Sequence, residues 1–143
     1  MTKAFIQFFS EDTTFTLRSK TILRTWIQQI INKEKYKLQS LNYIFCSDEY
    51  LLSMNEEYLN HDTYTDILTF DNSSLPNEVE GDIFISIDRI KDNANKMNLS
   101  FEQELHRVVI HGVLHLMDYK DRTAQEKSTM REKEDACLSL LQL

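Results

Sequence analysis

Glycine and proline are scarce in this sequence, which has 2 Gly and 1 Pro among 143 residues. Because both residues interrupt helices and strands, their scarcity predicts regular structure joined by short loops. Cysteine is also rare: Cys46 and Cys137 form no C-x-x-C pair, and we expect both thiols to be buried and reduced. No apolar run approaches the roughly 20 residues that span a bilayer, and the first residues lack the pattern of a signal peptide. These absences exclude membrane and disulfide-rich classes and predict a cytoplasmic location.

The remaining composition is that of a globular protein, with 41% hydrophobic and 27% charged residues. The length predicts one domain, residues 1–143. The net charge of −7 argues against nucleic acid as a partner. Residues 18–37, however, carry six basic residues against one acid, a local charge of +5. This segment is either a solvated helix face or a patch that binds phosphates, and within it we expect substrate contacts from Arg18, Lys20 and Arg24.

Hydrophobic periodicity and capping residues predict an alternation of strands and helices in the first half of the chain, followed by helices. The predicted strands are 4–9, 38–46, 66–70 and 81–87, and the predicted helices are 16–33, 48–59, 88–97, 100–116 and 123 to the C-terminus. Ser100 with Gln103, and Thr123 with Glu126, form capping boxes at the last two helices. The pattern indicates an α+β (mixed α/β) domain with a mixed sheet of about four strands and about five helices.

The most informative segment is the helix around His111 and His115. From Val108 to Met117, the only residues that are not large and apolar are these two histidines and Gly112. A helix that is apolar nearly all round is buried, so two imidazoles are placed in the core. Their i, i+4 spacing puts both rings on one face, where they can bind one metal ion or simply be hydrogen-bonded core residues.

Asp121 follows six residues after His115, where a turn can bring its carboxylate back to the two rings. Two His and one carboxylate leave a fourth position for water, as in a catalytic zinc site. We therefore expect one Zn²⁺ held by His111, His115 and Asp121, which act in catalysis through the metal-bound water. Such a site can also hold Ni²⁺, Co²⁺ or Fe²⁺. Gly112 supports the site, because a helix-interior glycine indicates a close approach to the backbone beside His111.

The spacing of these ligands matches that of the metzincin proteases, with Asp121 in place of a third His. A zincin protease needs Glu directly after its first His as general base, and this chain has Gly112 there. A metalloprotease is therefore the least favoured function. Phosphodiester cleavage depends less on that base, because a metal can polarise the phosphoryl oxygen and activate water.

The segment His111-Gly112-Val113-Leu114-His115-Leu116 with Tyr119 resembles the signature of the YbeY family of bacterial rRNA maturation factors. The block 65–70 with Asn55, Tyr58 and Asp62 is similar to that family's Asn…Tyr…Thr-Asp-Val-Leu-Ser-Phe pattern, and the strand 81–85 is similar to its Gly-Asp-Ile strand. Met130 and Glu134 fit its C-terminal helix. The resemblance spans residues 40–138 and implies a zincin-like metal helix.

The resemblance implies a zinc-dependent, single-strand-specific endoribonuclease that matures the 3′ end of 16S rRNA and acts in ribosome quality control. Its partners would be rRNA, the small ribosomal subunit and ribosomal proteins. This chain departs from the family pattern at three positions: Asp121 replaces the third His, Asp118 replaces a Gly, and Leu59 replaces an Arg. Asp118 could be an outer partner or a rival ligand, and a charged Asp121 should make the metal a weaker Lewis acid.

The alternative is a ribosome-assembly protein with a structural zinc and no catalysis, which the missing Arg and Glu favour. An open fourth coordination position distinguishes the enzyme from this alternative. His61, in a polar loop, is either exposed or a substrate contact. We expect His106 to be structural, and strand-flanking Asp66 and Asp82 to satisfy turn N–H groups.

Overall fold

The computed structural model describes residues 5–59 and 65–143, and His61, Asp62 and the side chain of Leu59 lie outside the described part. Four strands and five helices occupy these ranges. In chain order they are β1 Phe5–Ser10, α1 Lys20–Lys33, β2 Lys37–Cys46, α2 Asp48–Leu59, β3 Ile67–Asp71, β4 Glu78–Ser86, α3 Ile87–Lys96, α4 Phe101–Leu116 and α5 Ala124–Ser139.

The strands form one mixed sheet in the order β1-β2-β4-β3. β1, β2 and β4 are parallel, and β3 pairs antiparallel with β4. The predicted α+β class, with a four-stranded mixed sheet and five helices, is confirmed. None of the helices within 5–59 and 65–143 combines the length and apolar character of a bilayer span.

The main core lies on the face of the sheet that α4 covers. Side chains alternate along each strand, so Tyr43 and Ile83 point to this face while Phe84 points to the other. The Tyr43 hydroxyl donates to the Val109 carbonyl of α4 at 2.8 Å, which ties the helix to the sheet. On the opposite face, α2 covers a smaller cluster around Leu51. The helix predicted to carry the site is therefore central to the core.

Three boundaries differ from the sequence prediction by three residues or more, and one of them is the end of α5, which lies at Ser139 and not at the C-terminus. α1 begins at Lys20 and not at residue 16, because Ser19 adopts a left-handed backbone conformation with φ 60° that precedes the helix. β4 begins at Glu78, three residues earlier than predicted, because Lys37 of β2 pairs with Glu78. The differences at α1 and β4 arise from local backbone geometry and long-range pairing, which hydrophobic periodicity does not report.

Gly81 lies where β4 passes close to β3. A Cβ atom at this position would lie 2.4 Å from the carbonyl oxygen of Phe70, which is backbone and cannot move aside without disturbing the strand pair. We expect Gly81→Ala to lower the free energy of unfolding by about 3 kcal/mol, the upper end of overpacking costs. Urea denaturation followed by circular dichroism measures the change.

Gly112→Ala is the matched control for that measurement. Its added Cβ would meet the terminal methyl groups of Ile67 and Ile83 at 2.9 and 3.0 Å, and these can shift. Alanine also gains about 1 kcal/mol of helix propensity there. A larger loss for Gly112→Ala than for Gly81→Ala would contradict this account.

Candidate metal centre

The two histidines of α4 turn their rings toward one point. His111 and His115 are one helical turn apart, their ring centroids are 4.5 Å apart, and their Nε2 atoms are 2.9 Å apart. Asp121, in the connection between α4 and α5, brings its Oδ2 to 3.4 Å from Nε2 of His111 and 3.3 Å from Nε2 of His115. In the described part of the chain, these three residues form the one group of at least three potential ligands whose atoms converge.

The spacing of these three atoms fits a tetrahedral metal ion. With metal–ligand distances of about 2.0–2.1 Å, two ligand atoms at the tetrahedral angle lie about 3.3 Å apart. The three separations, from 2.9 to 3.4 Å, are close to that value. Two nitrogens and one carboxylate oxygen are also donors that zinc accepts. The Asp121 side chain is 41% exposed, so a fourth ligand or a substrate can approach from its side.

The end of α4 explains how Asp121 returns to the histidines. The Asp118 N–H donates to the His115 carbonyl and the Tyr119 N–H donates to the Leu114 carbonyl, both at 3.1 Å. Asp118 itself is left-handed, with φ 70°. This is a Schellman ending, which satisfies the last carbonyls and reverses the chain.

Tyr119 anchors this turn to α1 and α5. Its hydroxyl donates to Glu34 Oε1 at 2.6 Å, and Lys133 pairs with Glu34 Oε2 at 2.5 Å. Burial would raise the pKa of Glu34, but its hydrogen bonds from Lys133 and Tyr119 lower it below the usual range, so the carboxylate is charged. The turn that carries Asp121 is thus held by a charged, hydrogen-bonded contact.

Asp118 occupies a position that favours glycine and lies outside the converging group. Asp118→Gly removes the Cβ that penalises the left-handed conformation, and we expect the free energy of unfolding to rise by up to about 1 kcal/mol. Zinc affinity should stay within about twofold, because the carboxylate is not among the converging ligands. Thermal unfolding and a zinc-chelator competition measure the two quantities. A tenfold loss of zinc affinity would identify Asp118 as a ligand or as the partner of one.

Glu134 of α5 orients His111 and was not identified as part of the site from the residues alone. His111 Nδ1 donates to Glu134 Oε2 at 2.5 Å, and Arg107 donates to the other oxygen at 2.7 Å. Burial would raise the Glu134 pKa, but the hydrogen bonds from His111 and Arg107 lower it. A carboxylate behind a metal-binding histidine fixes the proton on Nδ1 and leaves Nε2 for the metal.

The His111 ring responds to the same carboxylate. Burial disfavours its protonated form, yet the hydrogen bond to Glu134 and the nearby charges raise its pKa above the ordinary value. Burial lowers the pKa of His115, and the neighbouring His111 adds to this effect. His115 also hydrogen-bonds the backbone of Tyr119. Each ring therefore has a partner besides the converging atoms.

A weak sequence signal for Glu134 exists in α5. Met130, Glu134 and Cys137 are its buried residues, spaced i, i+4 and i+7. A carboxylate on the buried stripe of a helix requires a partner, because an isolated buried charge is costly. The stripe predicts that Glu134 faces the core, but only the fold shows that it meets His111.

Gly112 allows α4 to lie close against the sheet. Its neighbours across the gap are the side chains of Ile67 and Ile83, and a Cβ would contact both at about 3 Å. The predicted close approach beside His111 is present, and it is made by β3 and β4. Gly112, which follows the first histidine, thus permits close packing and has no side chain that could act as a general base.

A cavity of about 420 Å³ opens beside His111, between α3, α4 and α5. Cationic side chains from these three helices line it, namely Lys96, Arg107 and Arg131. Three acids, Asp66, Glu104 and Glu134, also line it, and burial raises the pKa of Asp66 and Glu104. The cavity thus borders the candidate metal centre, and its walls carry both acidic and cationic side chains. Asp66 therefore lies beside the site as well as at a strand end.

The predicted substrate cations lie elsewhere. Arg24 donates to the Ile6 carbonyl at 2.9 Å and stacks over the Phe8 ring at the β1 edge. Lys20 borders a separate groove beside Phe8, and Arg18 is exposed. None of the three lines the cavity beside His111. Their contact with RNA stays a prediction.

His106 is buried and packs edge-on against Trp26, with ring centroids 6.5 Å apart. It points away from the converging ligands although it shares their helix, and its contacts agree with the expected structural role. The Asn42 amide donates to Asp82 at 3.0 Å on the sheet, away from the metal centre.

Comparisons with known proteins place this site in a family. The family described as endoribonuclease YbeY matches residues 6–142. A relative named endoribonuclease YbeY from Cytophaga hutchinsonii is 60% identical over 135 residues, which cover 94% of each chain. Another of that name from Christiangramia forsetii is 47% identical over 140 residues, covering 98% of this chain and 96% of its own.

The fold also matches a solved structure. The solution structure of TM1509 from Thermotoga maritima superposes with a TM-score of 0.66 at 28% identity, covering 94% of this chain and 87% of that one. The family match spans both histidines, the turn to Asp121 and the helix of Glu134. The chain therefore belongs to the family of endoribonuclease YbeY.

Proposed function

We propose that this chain cleaves single-stranded RNA as a metal-dependent endoribonuclease, with one zinc ion held by His111, His115 and Asp121. As a member of its family, it is a nuclease, a hydrolase that acts on RNA. The observation that carries the metal proposal is the convergence of three ligand atoms at tetrahedral spacing. The specific RNA we propose is the precursor of small-subunit rRNA, cut near its 3′ end.

A bound metal at this centre would supply Lewis acidity toward a phosphoryl oxygen and a water of lowered pKa. The chain's own residues prepare the site for this chemistry. Glu134 keeps a proton on Nδ1 of His111, so that Nε2 presents its lone pair toward Asp121. The anchored turn holds Asp121 at the edge of the histidine pair, where the substrate strand approaches.

The cavity beside the metal centre includes cations that an anionic substrate can contact. Arg107 is fixed by Glu134 and Asp135, both at 2.7 Å, so these two carboxylates balance its charge. Arg131 and Lys96 lie on the outer part of the same cavity and are largely exposed. These cations can contact the phosphates of a strand that crosses the metal centre.

The proposed function predicts cleavage of a single-stranded rRNA-precursor fragment by the zinc-loaded chain, with much slower cleavage of the same sequence in a duplex. An identically purified His115→Ala variant should be inactive, because it lacks one metal ligand. A contaminating nuclease would act in both samples. Equal cleavage by both proteins, or none by either, would refute the nuclease proposal and favour an assembly protein with a structural metal.

A further inference from the structure

Glu104 is a buried carboxylate of α4 that the metal centre does not use. The residue is 3% exposed, and its Oε1 accepts no hydrogen bond from the described residues. Asn93 of α3 interacts with the same carboxylate. Buried polar atoms nearly always have a partner, and Glu104 is one of the residues that line the cavity beside His111, so the missing partner indicates a ligand donor there.

The cavity that Glu104 lines has the size and walls of a ligand site. Its volume is about 420 Å³, within the usual range for small-molecule pockets. Val108 and Met97 give it apolar surface against which a flat ring can pack. His111 also lines it, so a group bound there is adjacent to the metal centre.

The outer part of the cavity has positive charge that the protein only partly neutralises. Arg131 is 59% exposed, and its guanidinium is 3.9 Å from Glu134, which already bonds Arg107 and His111 more closely. Lys96 is exposed and pairs with Asp92 at 3.0 Å. A ligand with an anionic part at these cations and a hydrogen-bond donor at Glu104 would satisfy both features.

We propose that this cavity is a nucleotide subsite in which Glu104 accepts a hydrogen bond from the exocyclic amino group of a base, while Arg131 contacts a phosphate. The proposal rests on the proposed function, because the nucleotide is the neighbour of the one cleaved at the metal centre. Cytosine presents an N4 amino group to a carboxylate. Uracil carries a carbonyl oxygen at that position, which a carboxylate repels.

The test compares two oligonucleotides that differ only in this group. Binding of fluorescently labelled octacytidine and octauridine to the full chain is measured by anisotropy, in chelator so that no RNA is cleaved. We expect octacytidine to bind on the order of tenfold more tightly, the discrimination typical of one good base contact. Equal affinity within twofold would overturn the proposal, and this comparison needs no variant to fold.

Glu104→Gln tests whether that residue is the source of the preference. An amide can accept from the cytosine amino group and can also donate to the uracil carbonyl, so the affinity ratio should fall toward one. Glu102→Gln is the matched control, because it makes the same change at an exposed position of the same helix. An unchanged ratio in Glu104→Gln would assign the preference to another residue and overturn the proposal.

Two further arms complete the test. Arg131→Gln should weaken both oligonucleotides equally and reduce the salt slope by about one, because it removes one phosphate contact. A loss confined to octacytidine would place Arg131 at the base and contradict its assigned role.

Competition by CMP and UMP separates the sources of the nucleotide. A tenfold preference for CMP indicates that a free nucleotide binds, and a preference seen only with oligomers indicates a subsite for the strand.

The result of the binding comparison does not depend on whether the chain cleaves RNA. Retained preference for cytosine without any RNA cleavage by the metal-loaded chain would refute the nuclease proposal alone. Cleavage of RNA by a chain that binds both oligonucleotides equally would refute the base subsite alone.

Discussion

Asp121→Asn is expected to lower the affinity of the chain for zinc at least 100-fold. The carboxylate supplies the negative charge among the three converging ligands, and its Oδ2 lies 3.3–3.4 Å from both Nε2 atoms. An amide oxygen of the same shape keeps the geometry but loses the charge that attracts the cation. The loss should exceed the 10- to 100-fold effect that outer partners of metal ligands produce. A competition titration against a chromogenic zinc chelator measures it.

Asp118→Asn is the matched control for this variant. It makes the same chemical change three residues earlier in the same turn, and asparagine tolerates the left-handed backbone at that position. Zinc affinity should stay within twofold of the unaltered chain. If both variants bind zinc as the parent does, Asp121 is not a ligand, and the metal site proposed here is wrong.

Glu134→Gln is expected to weaken zinc binding 10- to 100-fold without removing any ligand. The variant keeps the size of the side chain but loses the charge that fixes the proton on Nδ1 of His111. The ring can then adopt the other tautomer, which presents N–H and not a lone pair toward Asp121. Zinc competition measures the affinity, and the NMR shifts of the histidine ring nitrogens report the tautomer in the metal-free chain.

Asp135→Asn separates this effect from the loss of charge around Arg107. Asp135 accepts from Arg107 at 2.7 Å as Glu134 does, but it is 60% exposed and contacts neither histidine. Its replacement should leave zinc affinity within about twofold. Equal losses in both variants would show that Arg107, and not the contact with His111, is what Glu134 contributes.

The part of the structure that could be predicted from sequence is the part with strong local signals. α4 was predicted at 100–116 and runs Phe101–Leu116, because an all-round apolar helix with a capping box has few alternatives. The predicted box is present, with Gln103 N–H donating to Ser100 Oγ at 3.1 Å. The i, i+4 spacing likewise required His111 and His115 to share a face.

The remaining site residues depend on contacts between distant segments. Glu134 and Glu104 lie among other acids in charge-rich parts of their helices. The spacing of Glu134 with Met130 and Cys137 predicts that it faces the core, but nothing in the sequence shows which residues either carboxylate contacts. Only the packing of α5 and α3 on α4 buries them. The basic segment 18–37 is the opposite case, because its charges cluster in the sequence without marking a site. Arg24 is held at the β1 edge by Ile6 and Phe8.

Asp118 stands where the family pattern has a glycine before the tyrosine. At the sequence level, Asp118 suggested a ligand or an outer partner, because its side chain is acidic and adjacent to the site. The structure places it at the left-handed position of a Schellman ending, where glycine is preferred for its backbone. The left-handed backbone conformation, and not a role of the carboxylate at the metal, explains why this position favours glycine.

The most direct test of whether one ion at this centre gives the activity is a zinc titration. Zinc is added to the metal-stripped chain while cleavage of single-stranded RNA is recorded. We expect the rate to rise linearly and to saturate at one equivalent of zinc, with no cleavage before the first addition. Asp121→Asn should show no such saturation at one equivalent, and Asp118→Asn should match the parent. Cleavage that is independent of zinc, or a fully zinc-loaded chain that leaves the RNA intact, would contradict the account.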